Sequence, residues 1–480
     1  MSAEPRPGPA ASQVCQPAQA PDLEALGLPG ALPEDWRPRL LAAFGQALGR
    51  QRGFRQALEA CVGCGACLEA CPFHLGTGDV LNTPLGRAGL ARRVYQGYFS
   101  PRALALALCG KTREVLDDNL LDLWWAYFWQ CTLCRRCAQF CPLGIDTSEV
   151  TQVCRQILAE LGRVPEQTAR DLLNLAQSGN AQQVSPSSWV ARHQTLEGQL
   201  RRETGQDIAC PVDEQGAEVL LIPSPQEPFS QADTYKGYAK LFHAAGISWT
   251  TSTYLNQASN PGLWVSYRHL SLLSRRVLQA ARLLKPRYIV VGESGQGWAI
   301  LRNLGQTLAG SWSKEKYLKG HEPLHICQLS TRLLNEGALA GRLRPAANQG
   351  LRPAYHDPCQ AVRAGGLLSE PRQLLRAACP SLLELPRPVS GPWTLCCGAG
   401  GGLHAPELYQ LRLAGLMPRA RSLAQAQQRQ GCNAVATMCA TCQDQLSEGL
   451  AHFGLLLSVH GVHELLGQAL YPAAPAKDRT

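Results

Sequence analysis

Residues 61–72 read CVGCGACLEACP, and residues 131–142 read CTLCRRCAQFCP. Both follow C-x2-C-x2-C-x3-C-P, a spacing in which three thiolates wrap one cubane iron–sulfur cluster and the fourth reaches its neighbour. The spacing predicts crossed ligation. Cys61, Cys64, Cys67 and Cys141 hold one 4Fe-4S cluster, and Cys131, Cys134, Cys137 and Cys71 hold the other. The proline after each run ends the local turn. A pair of zinc sites is the alternative, since C-x2-C also suits zinc. Zinc sites, however, usually join two separated C-x2-C units, whereas each run here holds four cysteines and the run recurs.

A second set lies near the C-terminus: HDPC ending at Cys359, CCG at Cys396–Gly398 and CATC at Cys439–Cys442. Five thiolates are too many for one ordinary cubane or zinc site, and adjacent cysteines let one backbone turn feed two metal atoms. Gly398, Gly400, Gly401 and Gly402 allow positive φ and close backbone approach to a bulky cluster. A glycine-rich turn beside buried thiols is the plainer alternative. His356 and His404 lie close in sequence to these thiols. Each is read either as a proton donor to a leaving thiolate or as a cap or supporting hydrogen-bond partner. Cys15, Cys109, Cys154, Cys210, Cys327, Cys379 and Cys432 fit no motif and are read as structural.

The elements that position these residues change character along the chain. Residues 1–35, rich in Ala, Pro and Gly, form a flexible N-terminal segment, disordered or wrapped on a partner. Residues 36–160 form a helical ferredoxin-like domain: 36–60 is one helix leading into Cys61, and apolar residues recur at helical spacing between the cysteine runs. Trp124, Trp125, Tyr127, Phe128 and Trp129 are read as packing rather than an electron relay. Residues 161–205 form a polar helical linker that belongs to a helical stretch beginning at 147, with a loop near SPSS. Strands, among them AEVLLIPSP (217–225), the YIVV run before GESG and the SLLELP end of PRQLLRAACPSLLELP, then alternate with helices, which implies parallel α/β units.

Two such units are expected, so the fold class is a helical ferredoxin-like domain followed by a duplicated α/β cysteine-rich domain. The first lobe, 206–345, has lost its cysteines. Ser224 stands near the counterpart of Cys359, Ser259 and Asn260 near those of Cys396 and Cys397, and Ser294 and Gly297 near those of Cys439 and Cys442. The second lobe, 346–480, keeps the cysteines at strand ends, where open α/β sheets place their sites.

The chain has 480 residues, 20 cysteines and a formal net charge of +9. So many cysteines imply metal or redox chemistry in a reducing compartment rather than a disulfide framework. No apolar run approaches the ~18 residues of a membrane span. The start, MSAEPRPGPAASQ, lacks the charged head and apolar core of a secretory signal. The basic balance suits an acidic partner or a membrane surface. No basic stripe is interleaved with aromatics, so nucleic acid is not expected.

The pattern HDPC…CCGxG…CxxC resembles the cysteine-rich CCG domain of heterodisulfide reductases and their relatives. The resemblance implies a non-cubane 4Fe-4S cluster on Cys359, Cys396, Cys397, Cys439 and Cys442 that cleaves disulfide-type bonds. Joined to two ferredoxin runs, it also resembles the iron–sulfur subunits of glycolate, lactate and anaerobic glycerol-3-phosphate oxidising enzymes. Those imply a different role, an electron relay between a flavin dehydrogenase and quinone. CVGCGACLEACPFHLGTGD, WWAYFWQCTLCRRCAQFCPLGIDTSEVT and YIVVGESGQGW are similar to the DsrK-type iron–sulfur subunits, from about residue 35 to the end. That resemblance implies a membrane cytochrome b-type partner that supplies quinol electrons and a small sulfur-carrier protein bearing a disulfide or trisulfide. It also implies a cytoplasmic location, peripheral at the inner face of the membrane. Such proteins are expected to carry a cysteine where this chain has Ser294.

Overall fold

The computed structural model describes residues 12–111, 115–309, 314–318 and 320–472. Contacts divide the chain into two units. One comprises Met1–Leu173, Pro261–His269 and Leu395–Arg419; the other comprises Asn174–Asn260, Leu270–Thr394 and Ala420–Thr480.

The first unit is helical. Helices Trp36–Arg50, Arg52–Ala60, Pro84–Val94, Asp118–Phe128 and Thr147–Glu160 enclose its core. Side-chain caps fix their starts. The Thr83 hydroxyl accepts from Gly86 N at 2.8 Å, and Asp117 accepts from Leu120 N at 2.7 Å, each satisfying a backbone donor that the helix leaves free. The single helix expected over 36–60 is broken at Gln51, which is extended (φ −115°, ψ 95°). Phe44 packs edge-on to Phe54 at 5.1 Å and stacks on Phe99 at 5.3 Å. Trp124, Tyr127, Phe128 and Trp129 are fully buried beside them. Leu403, Leu408 and Leu411 join the same core, so the chain following CCG packs as part of the helical unit.

Two expectations differ from the structure here. The N-terminal segment is tied down from residue 12 onward; its first eleven residues lie outside the described ones. Ala18 N donates to Val164 O at 2.9 Å, Glu166 N to Gln16 O at 2.8 Å, and Cys15 is buried. Backbone pairing and burial of Leu23 and Leu26 outweigh the Pro/Gly-rich composition. The start of the stretch read as polar, Thr147–Glu160, is buried along most of its length, with Val150, Val153, Ile157 and Leu158 in the core. The SPSS stretch starts a helix, Pro186–Thr204, because the Ser185 hydroxyl accepts from Ser188 N at 3.1 Å.

The second unit holds two parallel sheets. The first contains β1 (Val219–Ile222), β2 (Trp249–Thr250), β3 (Tyr288–Val291) and β4 (Leu324–His325) in the order β2-β1-β3-β4. The second contains β5 (Pro353–Tyr355), β6 (Ala434–Thr437) and β7 (Ser458–Gly461) in the order β5-β6-β7. The strand expected near SLLELP is reduced to one parallel bridge, Ala354↔Leu383. The continuous apolar runs VLLI of β1 and AVAT of β6 are buried throughout, as strands covered by helices on both faces must be.

Candidate iron–sulfur sites

The two ferredoxin runs wrap in the same way. In the first, Gly63 (φ 71°) and Gly65 (φ 78°) take the left-handed region; in the second, Leu133 (φ 54°) and Arg135 (φ 61°) occupy the same two positions. Left-handed backbone is strained for residues with a Cβ, so the second loop persists only because its surroundings hold it. The Arg136 guanidinium donates to Ala70 O at 2.7 Å and ties the second run to the end of the first.

The thiols fall into two groups. Cys67 is pushed up to about 11 by burial, and then by the negative charges of Cys61, Cys141 and Cys64. Burial alone would raise Cys61, but the Arg92 guanidinium and Gly63 N–H hold it below its ordinary value. Cys64 is exposed. The other group lines a cavity of about 370 Å³, counting its open mouth, with Cys71, Cys131, Cys134 and Cys137 on its wall. Burial raises Cys71, and Cys134 and Cys131 add to the shift. Burial likewise raises Cys137, followed by Asp146 and Cys134. Thiolates crowded in this way repel one another, and a metal centre bound to them relieves that repulsion. The donors around the cavity suit sulfur ligands: Thr147 Oγ1 lies 2.9 Å from Cys137 Sγ, and Leu133 N lies 3.4 Å from Cys131 Sγ.

The CCG loop answers to the second run. Cys396 and Cys397 are buried, and Cys396 Sγ lies 3.4 Å from Thr132 Oγ1. Gly401 (φ 69°) is so close that a Cβ there would meet Cys131 O at 2.6 Å and Thr132 Cα at 2.7 Å. Gly398 (φ 95°) has Arg412 O at 2.5 Å in the same sense. Arg155 bridges the two elements, donating to Gly401 O at 2.7 Å, Cys131 O at 2.5 Å and Phe128 O at 2.8 Å. His404 follows the loop and is exposed.

In the second unit Cys359, Cys439 and Cys442 are buried beyond the C-terminal ends of adjacent strands β5 and β6, whose register pairs Tyr355 with Ala436. Cys439 is the N-cap of helix Ala440–His452 and Cys442 lies in its first turn. The free N–H groups and positive end of a helix favour negative charge nearby. His356, also buried, is anchored by its N–H to Ala436 O at 2.9 Å. Asp357 forms a bidentate pair with Arg372 at 2.7 and 2.9 Å and accepts from Gly391 N at 2.8 Å. In the second unit a pocket of about 400 Å³, counting its open mouth, is lined by Ser259, Asn260, Gly297 and mostly apolar side chains, with no thiol on its wall.

The description "4Fe-4S dicluster domain" matches residues 57–145, and "Cysteine-rich domain" (CCG) matches 353–447. Over 475 residues the chain is 31% identical to the Hdr-like menaquinol oxidoreductase iron-sulfur subunit 2 of Archaeoglobus fulgidus, spanning 92% of this chain and 85% of that protein. It belongs to the Hdr-like iron–sulfur subunit family. The corresponding protein of Archaeoglobus profundus is 30% identical over 92% of this chain and 84% of its own length. A component of the dihydromethanophenazine:CoB–CoM heterodisulfide reductase of Methanosarcina barkeri is 23% identical over 86% of this chain and 94% of its own. As an Hdr-like subunit, the chain carries iron–sulfur clusters and transfers electrons.

Thr132, Arg87 and Arg155, which support the second-run thiols, carry no signal in the cysteine spacing. Arg155 alone could have been noticed, as an arginine beside Cys154 and Ile157 in a helix with apolar residues on every side. Among the cysteines outside the motifs, Cys15, Cys154, Cys210, Cys327, Cys379 and Cys432 are buried and Cys109 is exposed.

Proposed function

We propose that this subunit takes electrons from a membrane cytochrome b-type partner that oxidises quinol. They pass through two cubane 4Fe-4S clusters to a non-cubane 4Fe-4S site, which reduces a disulfide or trisulfide on a small sulfur-carrier protein. The observation that carries the reading is the seat of the Cys396–Cys397 loop on Cys131–Thr132, which gives the second ferredoxin run a direct neighbour able to receive its electrons.

In this reading Cys61, Cys64, Cys67 and Cys141 hold one cubane, and Cys71, Cys131, Cys134 and Cys137 the other. Cys359, Cys396, Cys397, Cys439 and Cys442 hold the catalytic cluster, with Gly398 and Gly400 admitting it. Chain reach supports the last set. Thr394 Oγ1 donates to Asp357 O at 3.0 Å. Cys396 follows Thr394 by two residues and Cys359 follows Asp357 by two, while a chain spans at most about 3.5 Å per residue.

When bound, that cluster supplies an iron able to hold a thiolate between two one-electron transfers. Reducing R–S–S–R′ to two thiols takes two electrons and two protons. His356, buried at the end of β5, and His404, after the glycines, are the candidate donors to the leaving sulfur. The domain reading is 1–35 N-terminal segment, 36–160 ferredoxin-like domain, 161–205 linker, and lobes 206–345 and 346–480. Duplication of the lobes is supported by strand order, since Leu383 pairs beside β5 as β2 does beside β1. Among the described residues no helix is long and apolar enough to cross a membrane. Attachment at the inner membrane face through a partner fits the menaquinol oxidoreductase relatives.

The deciding experiment offers the reduced protein, in turn, a protein-borne trisulfide, a small disulfide and a quinone. Thiol release at the expense of cluster electrons is expected. If quinone alone is reduced, electron relay becomes the function, a reading favoured by the similarity to the glycolate oxidase iron-sulfur subunit of Escherichia coli, 26% identical over 74% of this chain.

A further inference from the structure

The two ferredoxin sites differ in their fixed charge. Around the first run Cys64 is open to solvent, and the Arg92 guanidinium beside Cys61 is only half-buried. Water and salt weaken charges placed there. The second-run cavity has Arg87 and Arg136 buried on its wall, with Arg135 beside them, and Arg155 is sealed behind it on the Cys131 carbonyl. Arg87 is 3% exposed and Arg155 fully buried. Arg87 lies on the cavity wall, with Nη2 3.7 Å from Cys71 Sγ and Nη1 on the Asn82 side-chain oxygen. Arg155 reaches Cys131 O at 2.5 Å, and its face lies over the Trp129 ring at 4.7 Å.

Among the described residues neither Arg87 nor Arg155 is paired with a carboxylate. Asp146, the acid that faces Cys137, is engaged by Arg135 at 3.2 Å. An arginine guanidinium keeps its charge at neutral pH. Two buried, uncompensated cations are costly in a protein interior unless a negative group shares their pocket. A thiolate-ligated cluster is such a group, and it becomes more negative on reduction. Net charge and hydrogen bonds at the sulfurs are what set such potentials. Burial by itself disfavours the added electron; fixed cations in the same pocket favour it.

We propose that Arg87 and Arg155 raise the reduction potential of the cluster on Cys71, Cys131, Cys134 and Cys137 above that of its neighbour. Electrons then enter on the side of the exposed Cys64 and leave toward Cys396 from the second-run side. One electron moves per step: the first cluster is oxidised as the second is reduced. Arg155 has a further role as a positioning residue, since the same guanidinium holds Gly401 against Cys131. The proposal rests on the two-cubane reading above.

The test is a potentiometric titration of the full-length, cluster-loaded protein followed by electron paramagnetic resonance, with Cys71→Ser used to assign the second-run signal. Arg87→Met and Arg155→Met should each lower that midpoint by about tenfold in reduction equilibrium, or about 59 mV for a one-electron couple. The other midpoint and the iron content should stay unchanged, and Arg155→Lys should recover most of the shift. If Arg155→Met does not fold, Arg87→Met decides alone. Unmoved midpoints in a fully loaded Arg87→Met protein overturn the proposal while leaving the two-cubane reading standing. A fully loaded wild-type protein with one cubane signal instead of two overturns both.

Discussion

The Cys396 sulfur and the Thr132 hydroxyl lie 3.4 Å apart although 264 residues separate them in the chain. The same seat accounts for Gly401, whose backbone presses onto Cys131 and Thr132. Gly401→Ala should therefore be severe. It adds a Cβ 2.6 Å from Cys131 O in a left-handed residue, at a cost of about 2 kcal/mol or more, and it should disturb the spectrum of the second-run cluster. Gly400→Ala meets its nearest atom, Thr132 O, at an ordinary 3.4 Å. Thermal midpoints and spectra of the two variants should diverge; equal behaviour would mean the loop does not need this close approach.

Under the proposed crossed ligation, the fourth cysteine of each run serves the other run's cluster. Cys71→Ser should perturb the centre that Cys131→Ser also perturbs, and Cys141→Ser the one shared with Cys61→Ser. The cavity grouping Cys71 with Cys131, Cys134 and Cys137 motivates this. Comparing resonance signals of the four variants checks it, and a match between Cys71→Ser and Cys61→Ser would refute it.

Stability should fall as pH rises from about 5 to 8, because of Glu227 in the second unit. Burial, and then the charge of Glu293, raises its carboxyl to about 8 from an ordinary 4.5. The folded state thus keeps a proton that the unfolded chain releases above 4.5. The stabilisation is complete below 4.5 and is lost as pH climbs through 8, at a slope of at most about 1.4 kcal/mol per pH unit. Glu227→Gln, whose one side-chain oxygen keeps the acceptor for Ser224 N while its amide NH2 faces the Tyr238 hydroxyl, should flatten the dependence. Thermal midpoints between pH 5.5 and 8.5 measure it; parallel curves for the two proteins would place the proton elsewhere.

Local features of this fold were legible where one residue type has one conformational use. Gly63 and Gly65 mark the left-handed turns of the first run, but Leu133 and Arg135 conceal the same turns in the second. Strands such as VLLI and YIVV stood out because burial on both faces demands unbroken apolar runs. The strand near Leu383 did not survive beyond one bridge, since only one residue of that stretch pairs with β5. The partners of Arg155 were hidden for another reason: they are the carbonyls of Phe128, Cys131 and Gly401, and backbone acceptors leave no mark in side-chain spacing. Nor does spacing reveal that the chain from Leu395 to Arg419 packs with the helical unit, because long-range contacts decide it.

Cys397→Ser addresses the catalytic set directly. Under the proposed assignment, full loading corresponds to about twelve irons, four in each of three clusters. Cys397 is buried directly after Cys396, in the loop held against the second ferredoxin run. Serine is a harder, poorer ligand for such iron, so about four irons and the sulfur-substrate turnover should be lost together. The ferredoxin clusters should still accept electrons, because their thiols come from residues 61–141. Iron analysis, dithionite reducibility and thiol release, measured on the same preparation, separate these effects. If thiol release persists in a protein holding about eight irons, the paired cysteines are not where the sulfur–sulfur bond is cleaved, and electron relay becomes the better account of this subunit.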